Sequence, residues 1–452
     1  MEHAKHTHRG IVRFAQTAIA CAAFALVTAC GGGSSNNSSS TPAAGVNMQV
    51  VSFGTSLSDA GTYSPVIGTD FGGGRFTTNP GEVWTQKVSE YFGNSLTPAF
   101  EGGFGLALSA TGGYDYAQGG ADVYTGGVSN TSAVISGASE QPVSWQISQY
   151  LAQHGSFNSN QIVLVEGGAN EILALLDSSG AGLTSFATAL VTTSFTATYA
   201  AEATTVIAQL EAAGYTAAQA TALAPAAVLL ALIQANPTAY ASVTPIISAA
   251  NEMATLVNTQ IAGTPKTVVV TVPDIGQTPA ALEADATAGA TPGSSSAPDQ
   301  ALSLITAAYN LALTEGLASS IASKKVILVD TYSWLDSSIT NAASLGFSVT
   351  NTATACNLTQ MQTNATNYAL ANPQATLGLA ASTPSAELQA AAAVYGAEFA
   401  SSLFCSAQTL VASNAATTYM FADLVHPTTA LHAQFATYVE TQLAAAGIGK
   451  AP

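Results

Sequence analysis

Short buried strands alternate with longer helices along this chain, and this alternation is the feature that most restricts its fold. Four runs rich in β-branched residues have the length and composition of fully buried strands. These runs are residues 48–53, 161–165, 267–272 and 325–329. Helical patterns lie between them, at residues 81–92, 143–154 and 301–323. The alternation predicts an α/β fold with a mainly parallel sheet and reactive groups at the carboxyl ends of its strands.

Two segments depart from this alternation. Residues 172–262 are rich in Ala, Thr and Leu, and they predict a helical insertion of several consecutive helices. Its position after a predicted strand leaves two roles open, a lid over a functional site or a structural helical layer. Residues 285–299 are rich in Ala, Gly, Ser and Pro and predict an exposed loop.

The first residues of the chain predict export. Residues 1–13 are polar and basic, and residues 14–29 (FAQTAIACAAFALVTA) are small and apolar. Together they have the form of a secretory signal peptide, and the apolar part is shorter than the ~20 residues of a transmembrane helix. Cys30 follows at the start of a Gly/Ser-rich segment, residues 30–46, which is typical of a flexible tether.

Residues 27–30 (VTAC) resemble the lipobox of bacterial lipoproteins. The resemblance implies cleavage after residue 29 and acylation of Cys30, and more than one acyl chain gives stable membrane anchoring. We therefore expect an exported protein that is held by lipid at a bacterial membrane, preferably the outer membrane, or at the cell surface. The alternative is an ordinary signal peptide in which Cys30 has no such role.

Charge and cysteine content restrict the partners. The chain has 9 Lys and Arg against 26 Asp and Glu, and its basic residues are scattered. Nucleic-acid binding requires clustered basic residues, so we expect no nucleic-acid partner. Cys356 and Cys405 are the cysteines that remain after the export segment, and outside the cytoplasm such a pair predicts a disulfide. The sequence has no Cys-x-x-Cys motif, and we expect neither a metal nor another cofactor.

Histidine is scarce, which narrows the search for a catalytic base. Three of the six histidines lie in the predicted signal peptide, and His154, His426 and His432 remain. His154 ends a predicted helix before Gly155, as a residue near a helix C-terminus would. His432 lies inside the last predicted helix, residues 428–443, where a surface or packing role is the default.

His426 stands in residues 421–427 (FADLVHP), between a strand-like run and the last helix. Pro427 disfavours helical geometry at His426 and suits the first position of the following helix. Asp423 can accept a hydrogen bond from one ring nitrogen and leave the other nitrogen as a base. An Asp-x-x-His pattern is also frequent by chance, so its interpretation depends on the rest of the chain.

A serine after the first predicted strand is the candidate nucleophile. Residues 53–61 (FGTSLSDAG) place Ser56 where the chain turns away from a buried strand. Backbone N–H groups at such a turn can stabilise an oxyanion. The segment is not the Gly-x-Ser-x-Gly elbow of α/β-hydrolases, because Ser58 stands at the position of the second Gly.

Two further segments offer hydrogen-bond donors to an oxyanion. Residues 115–121 (DYAQGGA) contain the adjacent pair Gly119 and Gly120. Residues 166–171 (EGGANE) follow the second predicted strand and contain Asn170. Asn170 precedes a helix and can cap it through the side-chain oxygen, which leaves the NH₂ group free to donate.

Taken in order, these segments resemble the conserved blocks of the GDSL/SGNH hydrolase family. The matching residues are 54–61, 115–121, 168–171 and 423–427, and the connecting segments 74–77 (GRFT) and 272–279 (VPDIGQTP) are similar to the family's ester hydrolases. The resemblance covers about residues 47–447. The departures are Thr55 and Glu171, where the family has Asp, and Asp115, where it has Asn. None of these three positions belongs to the family's triad.

The resemblance implies a three-layer α/β/α, SGNH-hydrolase-like (flavodoxin-like) catalytic domain over residues 47–450, with the helical insertion inside it. It implies a triad of Ser56, Asp423 and His426. The implied oxyanion donors are the backbone N–H of Ser56, the backbone N–H of Gly119 and the side-chain NH₂ of Asn170, with Gly120 as the alternative to Gly119.

The predicted function is an extracytoplasmic serine ester hydrolase of the carboxylesterase/lipase type. It would act on a small-molecule or lipid ester through an acyl-enzyme on Ser56. One alternative is an acyltransferase with the same triad, since only the acceptor differs. Another is a non-catalytic surface-binding lipoprotein on a hydrolase fold, which would be expected to lack a triad or oxyanion residue.

Overall fold

A computed structural model describes most of the chain after the predicted tether. The described residues are 48–68, 71–104, 106–124, 140–176, 180–261, 266–398 and 401–449. The predicted signal peptide, residues 1–29, and the predicted acylation site Cys30 lie outside the described residues, as does the tether up to residue 46.

A four-stranded parallel sheet, in the order β1-β4-β5-β6, forms the centre of the protein. The strands are β1 (Gln49–Phe53), β2 (Phe100–Gly103), β3 (Leu106–Ala110), β4 (Gln161–Val165), β5 (Lys266–Val270), β6 (Val326–Val329), β7 (Val349–Thr354) and β8 (Tyr419–Phe421). The pair β2–β3 is antiparallel, and β7–β8 is parallel. The predicted α/β class with a mainly parallel sheet is confirmed.

Helices account for most of the remaining structure. They are α1 (Trp84–Tyr91), α2 (Val143–His154), α3 (Ala169–Leu173), α4 (Ala181–Thr192), α5 (Phe195–Ala212), α6 (Ala217–Ala235), α7 (Thr244–Gln260), α8 (Pro279–Ala288), α9 (Pro298–Ala322), α10 (Thr331–Thr340), α11 (Leu358–Ala371), α12 (Pro373–Thr376), α13 (Ser385–Glu398), α14 (Ala415–Thr418) and α15 (Thr429–Ala445). Short 3₁₀ and π turns connect several of them.

The central strands bury both of their faces, which explains their uniformly apolar sequences. On β4, Val163 and Val165 belong to one core cluster, together with residues of α6, α7 and α9. Ile162 and Leu164 point the other way and belong to a second cluster with residues of α1 and α15. Helices therefore cover both faces of the sheet.

The helical region at residues 172–262 forms consecutive helices, as predicted. Buried residues of α4 to α7 join the core cluster that packs against β4 and α9. Within the described residues, two single helices, α6 and α9, are long and apolar enough to cross a membrane by length and composition alone. In their most apolar windows, 56% and 67% of the residues are buried inside the protein.

Both predicted bounds of the loop at residues 285–299 are wrong. Helix α8 continues to Ala288, and Pro298 begins α9, where a proline fits the first helical turn. Asp285 accepts a hydrogen bond from the backbone N–H of Asp299 at 2.9 Å, and both side chains are buried. The connection between the helices is thus shorter than predicted.

Cys356 and Cys405 form a disulfide with a Cα–Cα distance of 5.8 Å. This is the pairing that the sequence predicts. Both cysteines are fully buried in a core cluster with Tyr368 and Phe404, so the bond connects the start of α11 to the chain before β8.

Candidate active site

The carboxyl edge of the central sheet opens into one cleft. Ser56 follows β1, Glu166 follows β4, Thr271 follows β5 and Thr331 follows β6, and all four line the cleft. Parallel strands end at the same edge, which brings residues from distant parts of the chain together there.

Ser56, His426 and Asp423 form a continuous hydrogen-bonded chain at this edge. The Ser56 Oγ lies 2.9 Å from His426 Nε2, and His426 Nδ1 lies 2.7 Å from Asp423 Oδ2. All three side chains are buried, with Ser56 and His426 retaining 7% and 9% exposure. The structure thus brings together the three residues that the sequence selected as a triad.

Asp423 is held by three backbone donors besides the imidazole. The N–H groups of Val425 and His426 donate to Oδ1 at 2.8 and 2.7 Å, and the N–H of Ser402 donates to Oδ2 at 2.5 Å. Burial alone would raise the pKa of Asp423, but the charge and hydrogen bonds of His426 outweigh it and lower that pKa. An ionised Asp423 keeps the proton on His426 Nδ1, so Nε2 can accept from Ser56.

The loop that carries His426 is closed on itself. The Ala422 N–H donates to the His426 carbonyl at 2.8 Å, and Thr77 Oγ1 donates to the Pro427 carbonyl at 3.0 Å. The ring of Phe76 packs 5.0 Å from the imidazole, which places the GRFT segment beside the site. The prediction that Pro427 is the first helical residue is wrong, because Thr428 is the N-cap of α15 and the helix begins at Thr429.

The chain turns sharply after β1. The N–H groups of Ser58 and Asp59 both donate to the Thr55 carbonyl at 3.1 Å, which closes the turn around Ser56. Within the described part of the chain, the backbone N–H of Ser56 has no hydrogen-bond acceptor. This N–H is therefore available to a developing oxyanion.

Gly119 does not offer the oxyanion donor that the sequence predicts. Its N–H already donates to the buried carboxylate of Asp59 at 2.9 Å, and Gly119 is not among the residues that line the cleft. A Cβ at Gly119 would lie 2.1 Å from the ring of Phe76, so the glycine is required for close packing. Gly120, the alternative donor, follows Gly119 and has a φ of +85°, in the left-handed region that favours glycine.

Asn170 lines the cleft together with Ser56 and His426. It lies in the first turn of α3, whose N-cap is Gly168, so the prediction that Asn170 caps this helix is wrong. Its Nδ2 donates one hydrogen bond, to the Ala121 carbonyl at 2.7 Å. An amide nitrogen carries two protons, so one remains for a substrate oxygen.

Glu166 is a buried site residue that the sequence interpretation did not select. The backbone N–H of Thr55 donates to its Oε1, and the Thr55 hydroxyl donates to the same atom at 2.8 Å. An aspartate at position 55 would place a second carboxyl group against that of Glu166, whereas the hydroxyl of a threonine can donate a hydrogen bond to it. A Cβ at Gly54 would lie 2.5 Å from Glu166 Oε1, so a glycine is needed here. The departure at Thr55 is thus matched by Glu166, and burial raises the pKa of that carboxyl group.

The other two histidines have different surroundings. His154 ends α2, is exposed, and its Nε2 lies 3.2 Å from the hydroxyl of Tyr116. His432 packs inside α15 and lines the cleft, and its Nδ1 accepts the N–H of Trp84 at 3.3 Å. Burial lowers the pKa of His432 to about 3, so this imidazole is neutral. His426 is therefore the histidine that can take a proton from Ser56.

The helical region at residues 172–262 contributes little to the cleft. Among the described residues, Leu173 is its only member that lines the cleft. Of the two roles that the sequence left open, the structure therefore favours a structural layer over a lid.

The arrangement can activate an oxygen nucleophile. A serine hydroxyl that donates to an imidazole, itself oriented by a buried carboxylate, is poised for transfer of its proton as it attacks. In the described ranges, no group of three or more His, Cys, Asp or Glu side chains could hold a metal ion. No protein-family model matches the chain, and no curated protein is significantly similar to it.

Proposed function

We propose that this protein is an extracytoplasmic serine ester hydrolase of the carboxylesterase/lipase type, a lipoprotein form of the GDSL/SGNH hydrolases. The observation that carries the proposal is the hydrogen-bonded chain from Ser56 through His426 to Asp423. Ser56 and His426 are 370 residues apart in sequence, so their contact is a consequence of the fold.

In the proposed reaction, Ser56 Oγ attacks the ester carbonyl carbon while His426 Nε2 takes the hydroxyl proton. The ionised Asp423 stabilises the resulting imidazolium. Collapse of the tetrahedral intermediate breaks the bond to the alcohol oxygen, which receives the proton from His426. The acyl group now forms an ester with Ser56 Oγ. Water attacks this ester with His426 again as the base; the bond to Ser56 Oγ then breaks, Oγ takes the proton back from His426, and the carboxylic acid leaves.

Two donors are available to the tetrahedral oxyanion. The backbone N–H of Ser56 lies at the turn after β1, and Asn170, which has a second amide proton, lines the same cleft. Preorganised donors of this kind stabilise charge that appears only as the carbonyl is attacked. Gly119 is left out of this set because Asp59 accepts its N–H.

The SGNH-type architecture belongs to the same proposal. Supporting it are the parallel order β1-β4-β5-β6, the helices on both faces of the sheet, and the position of the matching segments at the carboxyl edge. Export and anchoring through Cys30 are proposed from the sequence. The disulfide between Cys356 and Cys405 is compatible with a compartment outside the cytoplasm.

Replacing Asn170 by Ala is expected to lower kcat by about 10²–10³-fold with little change in KM, because an oxyanion donor acts mainly in the transition state. Steady-state kinetics on a 4-nitrophenyl ester measure both constants. Asn258→Ala, an exposed asparagine on α7, is the matched control. A rise in KM at constant kcat would instead show that Asn170 contributes to binding of the substrate in its ground state.

The proposed function is tested with the purified protein and a series of 4-nitrophenyl esters of increasing acyl length. We expect hydrolysis, and we expect a fluorophosphonate to inhibit it and to label Ser56, as peptide mapping would reveal. Ester products formed with an added alcohol, in place of the acid, would favour the acyltransferase. Absence of both turnover and labelling would contradict the proposal and favour a non-catalytic binding protein.

A further inference from the structure

We propose that Glu166 is a positioning residue of the oxyanion site. Its side chain holds the turn that carries the backbone N–H of Ser56, and its backbone begins the segment that carries Asn170. Glu166 thus sets the relative position of the two oxyanion donors. The inference rests on the proposed function, and it adds a residue whose loss would change kcat rather than binding of the ester.

The turn after β1 is held by side chains from two other elements. Gln146 of α2 accepts the N–H of Gly54 at 2.9 Å, and its Nε2 donates to the Gly54 carbonyl at 2.9 Å. Glu166 Oε1 accepts the N–H of Thr55, whose carbonyl accepts two N–H groups of the turn. Each backbone polar group of Gly54 and Thr55 therefore has a partner. Within the described residues, the next N–H along the chain, that of Ser56, has none.

Glu166 makes the side-chain contacts to the residue before the nucleophile. It is 4% exposed, and its two carboxyl oxygens lie 2.8 and 3.2 Å from the Thr55 hydroxyl. The Glu166 N–H donates to the Phe53 carbonyl at 3.1 Å, so its backbone is also bonded to the end of β1. Thr55 is thus fixed through its N–H and its hydroxyl. Its two backbone dihedral angles decide where the N–H of Ser56 points.

The second oxyanion donor lies on the segment that continues from Glu166. Asn170 follows four residues later, in the first turn of α3. The chain between them is tightly packed: a Cβ at Gly168 would lie 2.1 Å from the ring of Tyr309, whose hydroxyl donates to the Gly167 carbonyl at 3.0 Å. Close-packed interiors transmit displacements, so a shift of Glu166 would move Asn170 as well.

The side chain at position 166 must accept hydrogen bonds. Alanine would leave the Thr55 N–H buried without this acceptor, and the turn would shift toward another partner. A misplacement of ~1 Å in an active site can cost about 10²-fold in rate, and an oxyanion donor acts on charge that appears only in the transition state. Glutamine keeps one oxygen for the Thr55 N–H, and the Thr55 hydroxyl can accept from its NH₂ group.

The test measures kcat and KM on a 4-nitrophenyl ester, together with the melting temperature of each variant. Glu166→Ala is expected to lower kcat by about 10–10²-fold with KM within about twofold of the wild-type value. Glu166→Gln should keep kcat within about fivefold. Asp285→Ala is the matched control, since this buried carboxylate accepts the N–H of Asp299 at 2.9 Å outside the cleft lining. Its loss should lower the melting temperature and leave kcat unchanged.

A second pair of variants exchanges the donor and the acceptor. Thr55→Asp replaces the hydroxyl donor by a carboxyl group against Glu166, and it is expected to lower kcat about tenfold. Adding Glu166→Gln gives the new carboxyl group an NH₂ donor, while the amide oxygen still accepts the backbone N–H at position 55. The double variant should therefore recover kcat to within about fivefold of Glu166→Gln alone. This pair provides the test if Glu166→Ala does not fold.

Two outcomes would overturn the inference while leaving the proposed function intact. One is a change in Glu166→Ala that is confined to KM or, as in Asp285→Ala, to the melting temperature. The other is a kcat in Thr55→Asp that does not fall, or that the addition of Glu166→Gln does not raise. Absence of hydrolysis and of fluorophosphonate labelling in the wild-type protein would overturn the proposed function together with this inference.

Discussion

Replacing Ser56 by Ala is expected to lower the rate of ester hydrolysis by about 10⁶-fold, because loss of the nucleophile disables the whole triad. The remaining His426 and Asp423 would have no hydroxyl to activate at 2.9 Å from the imidazole. A residual rate above that in water would come from binding and from the oxyanion donors alone. Hydrolysis at high enzyme concentration measures this residual rate, and fluorophosphonate labelling should be lost in parallel.

Ser58 provides a matched control for this substitution. It lies in the same turn, its side chain is also buried, and its hydroxyl interacts with Glu166 rather than with His426. Ser58→Ala should therefore keep activity within a few-fold of the wild-type protein, and both variants should melt near the same temperature. Labelling of Ser56→Ala, or loss of activity in Ser58→Ala alone, would show that the nucleophile is misassigned.

Local patterns were sufficient to predict the elements that build the site. The predicted bounds of β4 and α2 coincide with the observed ones, since an unbroken apolar run and a clear helical pattern mark each. The grouping of Ser56, His426 and Asp423 was also within reach of sequence reasoning. Few histidines were available, and Pro427 indicated that His426 lies outside the helix, although the helix begins later than predicted.

Hydrogen-bond partners across the fold were beyond that reasoning. Gly119 has the expected sequence context, but its N–H is taken by Asp59, which is 60 residues away in sequence. Glu166 stood in a predicted segment, yet its role depends on how closely β1 and β4 bring it to Thr55. In both cases the deciding factor is which buried donor meets which buried carboxyl group, and only the packed structure sets that.

Replacing Asp423 by Asn is expected to lower kcat by about 10⁴-fold, through the tautomer of His426 rather than through lost contact area. In the native site, Asp423 accepts four hydrogen bonds, from His426 Nδ1 and from the N–H groups of Ser402, Val425 and His426. An asparagine has one oxygen and one NH₂ group. Either the NH₂ faces Nδ1 and the N–H of Ser402 and places the imidazole proton on Nε2, or it faces the N–H groups of Val425 and His426 and opens the loop.

The two possibilities are distinguished by stability. If the NH₂ group faces Nδ1, it also faces the N–H of Ser402, so one backbone hydrogen bond is lost while the oxygen still accepts the N–H groups of Val425 and His426; kcat should fall and the melting temperature should fall slightly. If it faces Val425 and His426, two backbone hydrogen bonds are lost, and the melting temperature should fall further. Asp336→Asn, on α10 and outside the cleft lining, is the matched control and should leave kcat unchanged. A normal kcat in Asp423→Asn would exclude Asp423 from the triad, even though its carboxylate lies 2.7 Å from the imidazole.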